Sequence, residues 1–154
     1  MSGMKDGADA ATSASAHRDV EAERLVREFE ACTLAGERWT HEAHLTVALW
    51  YLVRHADAEA TRLIREGIQR YNFSRGVEMT KKSGYHETIT LFYIRVIRRH
   101  LNGACEAQTF AELLDGLLAA CGDRNFPFEY YSRERLLSWE ARTGWLEPDL
   151  KSLD

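Results

Sequence analysis

Apolar side chains in this chain return every three or four positions in nearly every segment, and apolar/polar alternation never lasts more than a few residues. A return of about 3.6 lines one face of a helix, whereas a half-buried strand needs a period of two. The pattern therefore predicts an all-α fold. With 154 residues, 45% of them apolar, there is material for one core and not comfortably for two. We read residues 19–154 as a single helical-bundle domain, and residues 1–18, rich in Ala, Ser, Gly and Asp, as a disordered N-terminal tail.

The punctuation divides the domain into an up-and-down bundle of about five helices plus a short C-terminal helix. A first helix is expected over residues 19–34, with Val20, Leu25, Phe29 and Cys32 on its stripe and Gly36 after its end. Thr40 caps a second helix that runs to Arg54, with Glu42 in its first turn and Trp39 placed to staple His44. Only His55-Ala56-Asp57 separates it from a third, which Asp57 is expected to cap, so the two form a hairpin. Residues 73–83 lose the pattern and form a loop long enough to act as a lid. The fourth helix carries Ile89, Phe92, Tyr93, Val96 and Ile97, and ends in Arg95, Arg98, Arg99 and His100, where cations suit the helix dipole. Thr109-Phe110-Ala111-Glu112 is a capping box that opens the fifth, and Gly122 closes it. A sixth, capped by Ser132, is expected over residues 133–143.

Composition narrows the function classes. A net charge of −4, from 20 basic and 24 acidic side chains, lacks the basic excess of a general nucleic-acid binder. The apolar run from Leu45 to Val53 stops at Arg54, short of the roughly 18 to 20 residues a membrane span needs. Cys32, Cys105 and Cys121 are odd in number and show no pairing pattern, which fits a reducing, cytoplasmic setting.

Two stretches place unusual side chains at helix starts: Trp39-Thr40-His41-Glu42-Ala43-His44-Leu45 and Gly84-Tyr85-His86-Glu87-Thr88. Antiparallel links would bring these starts to one end of the bundle. The stripe through His41, His44, Leu45, Ala48 and Leu52 turns both histidines toward the core side, and the stripe through His86, Ile89 and Tyr93 does the same for His86. The three imidazoles are expected to reach one shared point at the bundle mouth. Cys32 and Cys121 can approach it from neighbouring helix ends.

Such a convergence can bind a divalent metal (zinc, nickel or iron) through His41, His44 and His86, with Glu87 or Glu42 as a further ligand or as the base that activates bound water. On this reading the protein is a metal-dependent, hydrolytic enzyme acting on a small molecule. Trp39, Tyr85, Thr88, Arg124, Tyr130 and Tyr131 would line the mouth and contact the ligand. Against the metal stands the positive partial charge of two helix starts, which suits an anion better. The metal-free alternative keeps the imidazoles neutral beside a bound carboxylate or phosphate. A structural alternative has His44 packed on Trp39 and His86 hydrogen-bonded to a loop. Either fits a non-catalytic ligand-binding or helical interaction protein, and several tryptophans leave room for a homodimer.

The motifs W-T-H-x-x-H-L, Y-N before a loop, S-G-Y-H-E-T-I-T, Y-Y-S-x-E-R-L and the closing E-P-D-L resemble a family of small bacterial helical proteins of no known activity. The likeness spans residues 29–150. It implies an all-helical fold and carries no catalytic assignment.

Overall fold

The computed structural model describes residues 5–154, which form seven α-helices, two short 3-10 turns and no strand. α1 (Lys5–Glu30) starts well before the stripe that predicted it. Residues 5–18, expected to be disordered, are helical, and residues 1–4 lie outside the described part. Alanine has the lowest helix-forming penalty of any residue, and this segment is rich in it. Two contacts tie the helix at Ser15 and Arg18 to the fifth helix and its cap: Ser15 Oγ donates to Thr109 Oγ1 at 3.2 Å, and Arg18 makes two bonds of 2.6 Å to the Asp115 carboxylate. Ala22, Val26 and Phe29 take the buried face, while Val20 is exposed. The chain turns at Cys32, whose φ is +58°.

α2 (His41–Arg54) follows its predicted bounds, and Thr40 Oγ1 accepts from the Ala43 N–H at 3.1 Å. Leu45, Val47, Ala48, Leu49, Tyr51 and Leu52 are all buried, so this helix is apolar around most of its circumference. A helix of that kind belongs at the centre, and α2 packs against α1, α3, α4 and α5. α3 (Asp57–Ser74) starts behind Ala56, which makes no side-chain cap; Asp57 is instead its first residue, where its charge suits the dipole. Gly67 lets α3 approach α1 closely, since a Cβ there would lie 2.8 Å from the Phe29 ring.

α4 (Glu87–Asn102) and α5 (Phe110–Cys121) complete the core, and the Thr109/Glu112 capping box is formed. The sixth predicted helix is two. α6 (Arg133–Leu136) ends at Leu137, and α7 (Trp139–Thr143) restarts behind Ser138. Ser138 causes the break: its hydroxyl donates to the Arg135 carbonyl at 2.6 Å and accepts from the Ala141 N–H at 3.1 Å, which ends one helix and caps the next. The following segment packs back along α4 and over the Tyr130–Tyr131 corner.

Candidate functional site

The two histidine stretches resolve into two different structures. At the start of α4, His86 is itself the N-cap: its ring Nδ1 accepts from the Ile89 N–H at 3.1 Å. A carbonyl can only accept, so the 2.9 Å contact between Nε2 and the Leu136 oxygen fixes the ring proton on Nε2. Both nitrogens are spent and the ring is buried. Burial, above all, lowers its pKa, and the Arg142 charge adds to that effect.

Its neighbours are equally occupied. Glu87 forms a 2.8 Å ion pair with Arg65 of α3 and accepts from the Tyr85 hydroxyl at 2.7 Å. Thr88 is fully buried; its hydroxyl donates to the Gly144 carbonyl at 2.6 Å and accepts from the Leu146 N–H at 3.1 Å. Arg142, also buried, turns one guanidinium nitrogen on the carbonyls of Ser83, Gly84 and Tyr85 at 3.1, 2.9 and 3.3 Å. His86, Glu87 and Thr88 thus fasten α4 to α6, α3 and the C-terminal segment, and Tyr85 braces Glu87. Tyr130 and Tyr131 do similar work. The Tyr130 carbonyl receives the Leu150 N–H at 2.9 Å, and the Tyr131 hydroxyl donates to Leu146 at 2.7 Å.

The start of α2 is different. His44 packs on Trp39 with ring centroids 3.8 Å apart, and its Nδ1 donates to the Thr40 carbonyl at 2.6 Å. Burial pushes its pKa down to about 4, with the His41 ring and the Arg124 charge as lesser causes. Trp39 in turn stacks on Phe29 at 4.7 Å. This is the predicted staple, extended into the core. Glu42 is exposed and lines a separate groove between α1, α2 and α5, beside Arg18.

His41 has a different ring partner from His44. Its ring meets Tyr93 of α4 edge to face at 5.2 Å, and both the His41 Nε2 and the Tyr93 hydroxyl are buried without a hydrogen-bond partner. Tyr93 is only 9% exposed. Burial above all lowers the His41 pKa; a hydrogen-bonding contact between the ring and the Cys121 backbone opposes it, Arg124 lowers it further and Asp123 raises it. Burial raises the Tyr93 pKa, and Cys121 and Asp123 raise it more. The imidazole and the phenol therefore share one neighbourhood, the end of α5. Cys121 hydrogen-bonds the Leu117 carbonyl at 3.2 Å, and burial pushes its thiol up to about 11, so it is a packed thiol and not a ready nucleophile.

Of the residues predicted for the mouth, the structure brings His41, His44 and Arg124 into one electrostatic neighbourhood and commits Tyr85, His86, Glu87, Thr88, Tyr130 and Tyr131 to packing. The metal reading depended on His86, whose nitrogens are occupied. Among the described residues no group of three or more His, Cys, Asp or Glu is arranged to hold a metal ion. Three participants were not predicted: Tyr93, counted only as an apolar stripe residue, Asp123 and Arg142. Nothing in the spacing distinguishes an apolar-stripe tyrosine with a bonded hydroxyl from one without. No protein-family model, curated protein or solved structure matches the chain, so roles rest on this geometry and the motif resemblance gains no support from those comparisons.

Proposed function

We propose that this protein binds a small oxyanion, a carboxylate or phosphate carried on a small molecule, without a metal, where the start of α2 meets the end of α5 and the face of α4. The observation that carries this reading is the pair of buried, unpartnered polar atoms, His41 Nε2 and Tyr93 Oη. A buried polar group without a partner costs about 1 to 3 kcal/mol, so two of them side by side call for a ligand or ordered water.

An oxyanion would satisfy both. Tyr93 donates its O–H, and His41 donates from Nε2 when that nitrogen carries its proton. The first-turn N–H groups of α2 and the Arg124 guanidinium add positive potential. Asp123, which accepts from the Asn125 N–H at 2.8 Å, opposes that potential at both His41 and Tyr93, while Glu42 lies apart in the groove beside Arg18. An up-and-down order of α1 to α5, with the starts of α2 and α4 and the end of α5 at one end, is the arrangement that fits this reading. A hydrolytic metal centre fits less well, because Glu87 is held by Arg65 and Tyr85 and cannot also serve as a free base.

Titration with inorganic phosphate and with acetate, followed through the histidine ring resonances, tests the proposal. The His41 resonances should move while those of His86 stay still. Binding should weaken about tenfold in Tyr93→Phe and in Arg124→Ala, the loss expected for one hydrogen bond or charge contact to an anion. If His41 shifts with neither probe, the anion reading is wrong. Retention of zinc, nickel or iron(II) by wild type, abolished in His41→Ala, would restore the metal reading in its place.

A further inference from the structure

The last turn of α3 and the irregular connection that follows it to α4 expose three large apolar side chains close together in sequence. Phe73 is 88% exposed, Val77 44% and Met79 40%. Arg75 stands between them and Lys81 and Lys82 follow, all exposed and none in an ion pair among the described residues, against one acidic residue, Glu78. This concentration of positive charge sits on a chain whose net charge is −4.

The connection is shaped. The Val77 N–H returns to the Asn72 carbonyl at 2.9 Å, and Thr80 and Ser83 close a turn through their backbones at 2.9 Å and their hydroxyls at 2.8 Å. Gly84, at φ +87°, lies so close to Glu78 and Met79 that a Cβ would be 2.6 Å from the Glu78 carbonyl oxygen. Arg142 then clamps the carbonyls of Ser83, Gly84 and Tyr85. The same clamp sets α7 against the loop, and α7 begins with Trp139, itself 43% exposed.

We propose that this loop docks the protein on an anionic lipid surface, with Phe73, Val77 and Met79 entering the headgroup boundary and Arg75, Lys81 and Lys82 meeting lipid phosphates. Apolar insertion combined with basic attraction is the signature of peripheral attachment, and neither contribution is strong alone. A protruding side chain such as Phe73 suits a soft bilayer better than a rigid partner lacking a matching pocket. A two-fold contact with a second copy would set Arg75, Lys81 and Lys82 against their own counterparts, which like-charge repulsion disfavours. A nucleic acid would use the cations and leave Val77 and Met79 with nothing to bury. No helix among the described residues is long and apolar enough to cross a membrane, so the attachment proposed is to the surface.

The full chain is floated with vesicles of phosphatidylcholine alone and with vesicles that also contain phosphatidylglycerol. Binding is expected only to the second, weakening as salt rises. Lys81→Glu/Lys82→Glu and, separately, Phe73→Ser should each lower the partition coefficient about tenfold or more. These side chains are exposed, and unchanged thermal melting of the variants checks that they fold. Tyr93→Phe should bind vesicles like wild type, which keeps this proposal separate from the anion site. Absence of binding to anionic vesicles overturns the proposal. So does equal binding to neutral ones, a dimer in sedimentation that Phe73→Ser dissolves, or retention of a single-stranded oligonucleotide in preference to vesicles.

Discussion

The starts of α2 and α4 share a local grammar, a histidine and a glutamate opening an apolar helix, yet the structure uses them in opposite ways. At α4 the histidine is the cap, its second nitrogen binds a carbonyl fifty residues away in sequence, and the glutamate is paired. At α2 a threonine does the capping. That frees His41 to sit one step further into the helix, beside a tyrosine, with a ring nitrogen unpartnered. A one-residue difference in where the cap falls separates a histidine that holds the fold together from one available to a ligand. The comparison teaches that residue type and helix position do not by themselves identify a site; what matters is whether the hydrogen-bonding capacity is already used.

The largest effect expected from breaking the α4 side comes from Arg142→Leu. It removes the donor shared by the Ser83, Gly84 and Tyr85 carbonyls and leaves them without that partner at the edge of the core. We expect a loss of about 4 kcal/mol in urea unfolding, in line with removing one partner from a buried charged network. A loss below about 1 kcal/mol would show that water replaces the guanidinium and that the clamp is incidental. Next comes His86→Ala, which removes the cap and unpairs the Leu136 carbonyl, for about 3 kcal/mol. His86→Asn keeps a capping oxygen and should recover about 1 kcal/mol of it. His41→Ala should cost less than His86→Ala; the reverse order would mean that the two starts have been assigned the wrong roles.

Much of the fold was readable because its signals are local. Thr40, the Thr109/Glu112 box and Ser132 act on backbone groups two or three residues ahead, so the starts of α2, α5 and α6 follow from short windows. Residues 5–18 read as a tail because the contacts that hold this part of α1, at Ser15 and Arg18, come from the α5 cap Thr109 and from Asp115, 94 and 97 residues away. Helix propensity without an amphipathic stripe looks like a tail until a partner is seen. The break at Ser138 is not legible in the sequence, because a serine inside an apolar pattern is compatible with a continuous helix. The candidate site was only half legible. The pairing of Trp39 with His44 and the presence of His41 follow from helix spacing, but the spacing makes His86 a ligand where the structure makes it a cap. The reason is physical: an imidazole can replace the hydroxyl or carboxylate that usually caps a helix, and only the Leu136 carbonyl, distant in sequence, reveals that it does so here.

Acid sharpens the comparison from the α2 side. The folded-state pKa of His44 is lowered to about 4 by burial. A histidine lowered on folding stabilises the native state fully above its unfolded value, near 6.5, and that contribution is lost as pH falls toward the folded value. Stability should therefore decline between about pH 6.5 and about pH 4, with His44 contributing at most about 3 kcal/mol and less if acid lets water reach the ring. His41 and His86 shift in the same direction and steepen the fall. Urea midpoints measured across this range in wild type and His44→Gln isolate its share. If the two curves run parallel, His44 titrates like an exposed histidine and the Trp39 packing does not shield it.

The smallest effect is the most discriminating, because the same chemical change is made at both ends of the comparison. Tyr85→Phe removes a hydroxyl that donates to Glu87 at 2.7 Å, and should cost about 1.5 kcal/mol. Tyr93→Phe removes a buried hydroxyl with no partner, and should leave stability unchanged or raise it by up to about 1 kcal/mol. A loss at one site and no loss at the other, from one atom deleted at each, is what a satisfied and an unsatisfied end must give. In the presence of a bound oxyanion the Tyr93 result should reverse, since the hydroxyl would then have a partner and the ligand's contribution to stability would fall with its affinity. A Tyr93→Phe variant that is less stable than wild type in ligand-free buffer would mean that ordered water already completes the α2 end, and the contrast between the two helix starts would reduce to which molecule fills the second one.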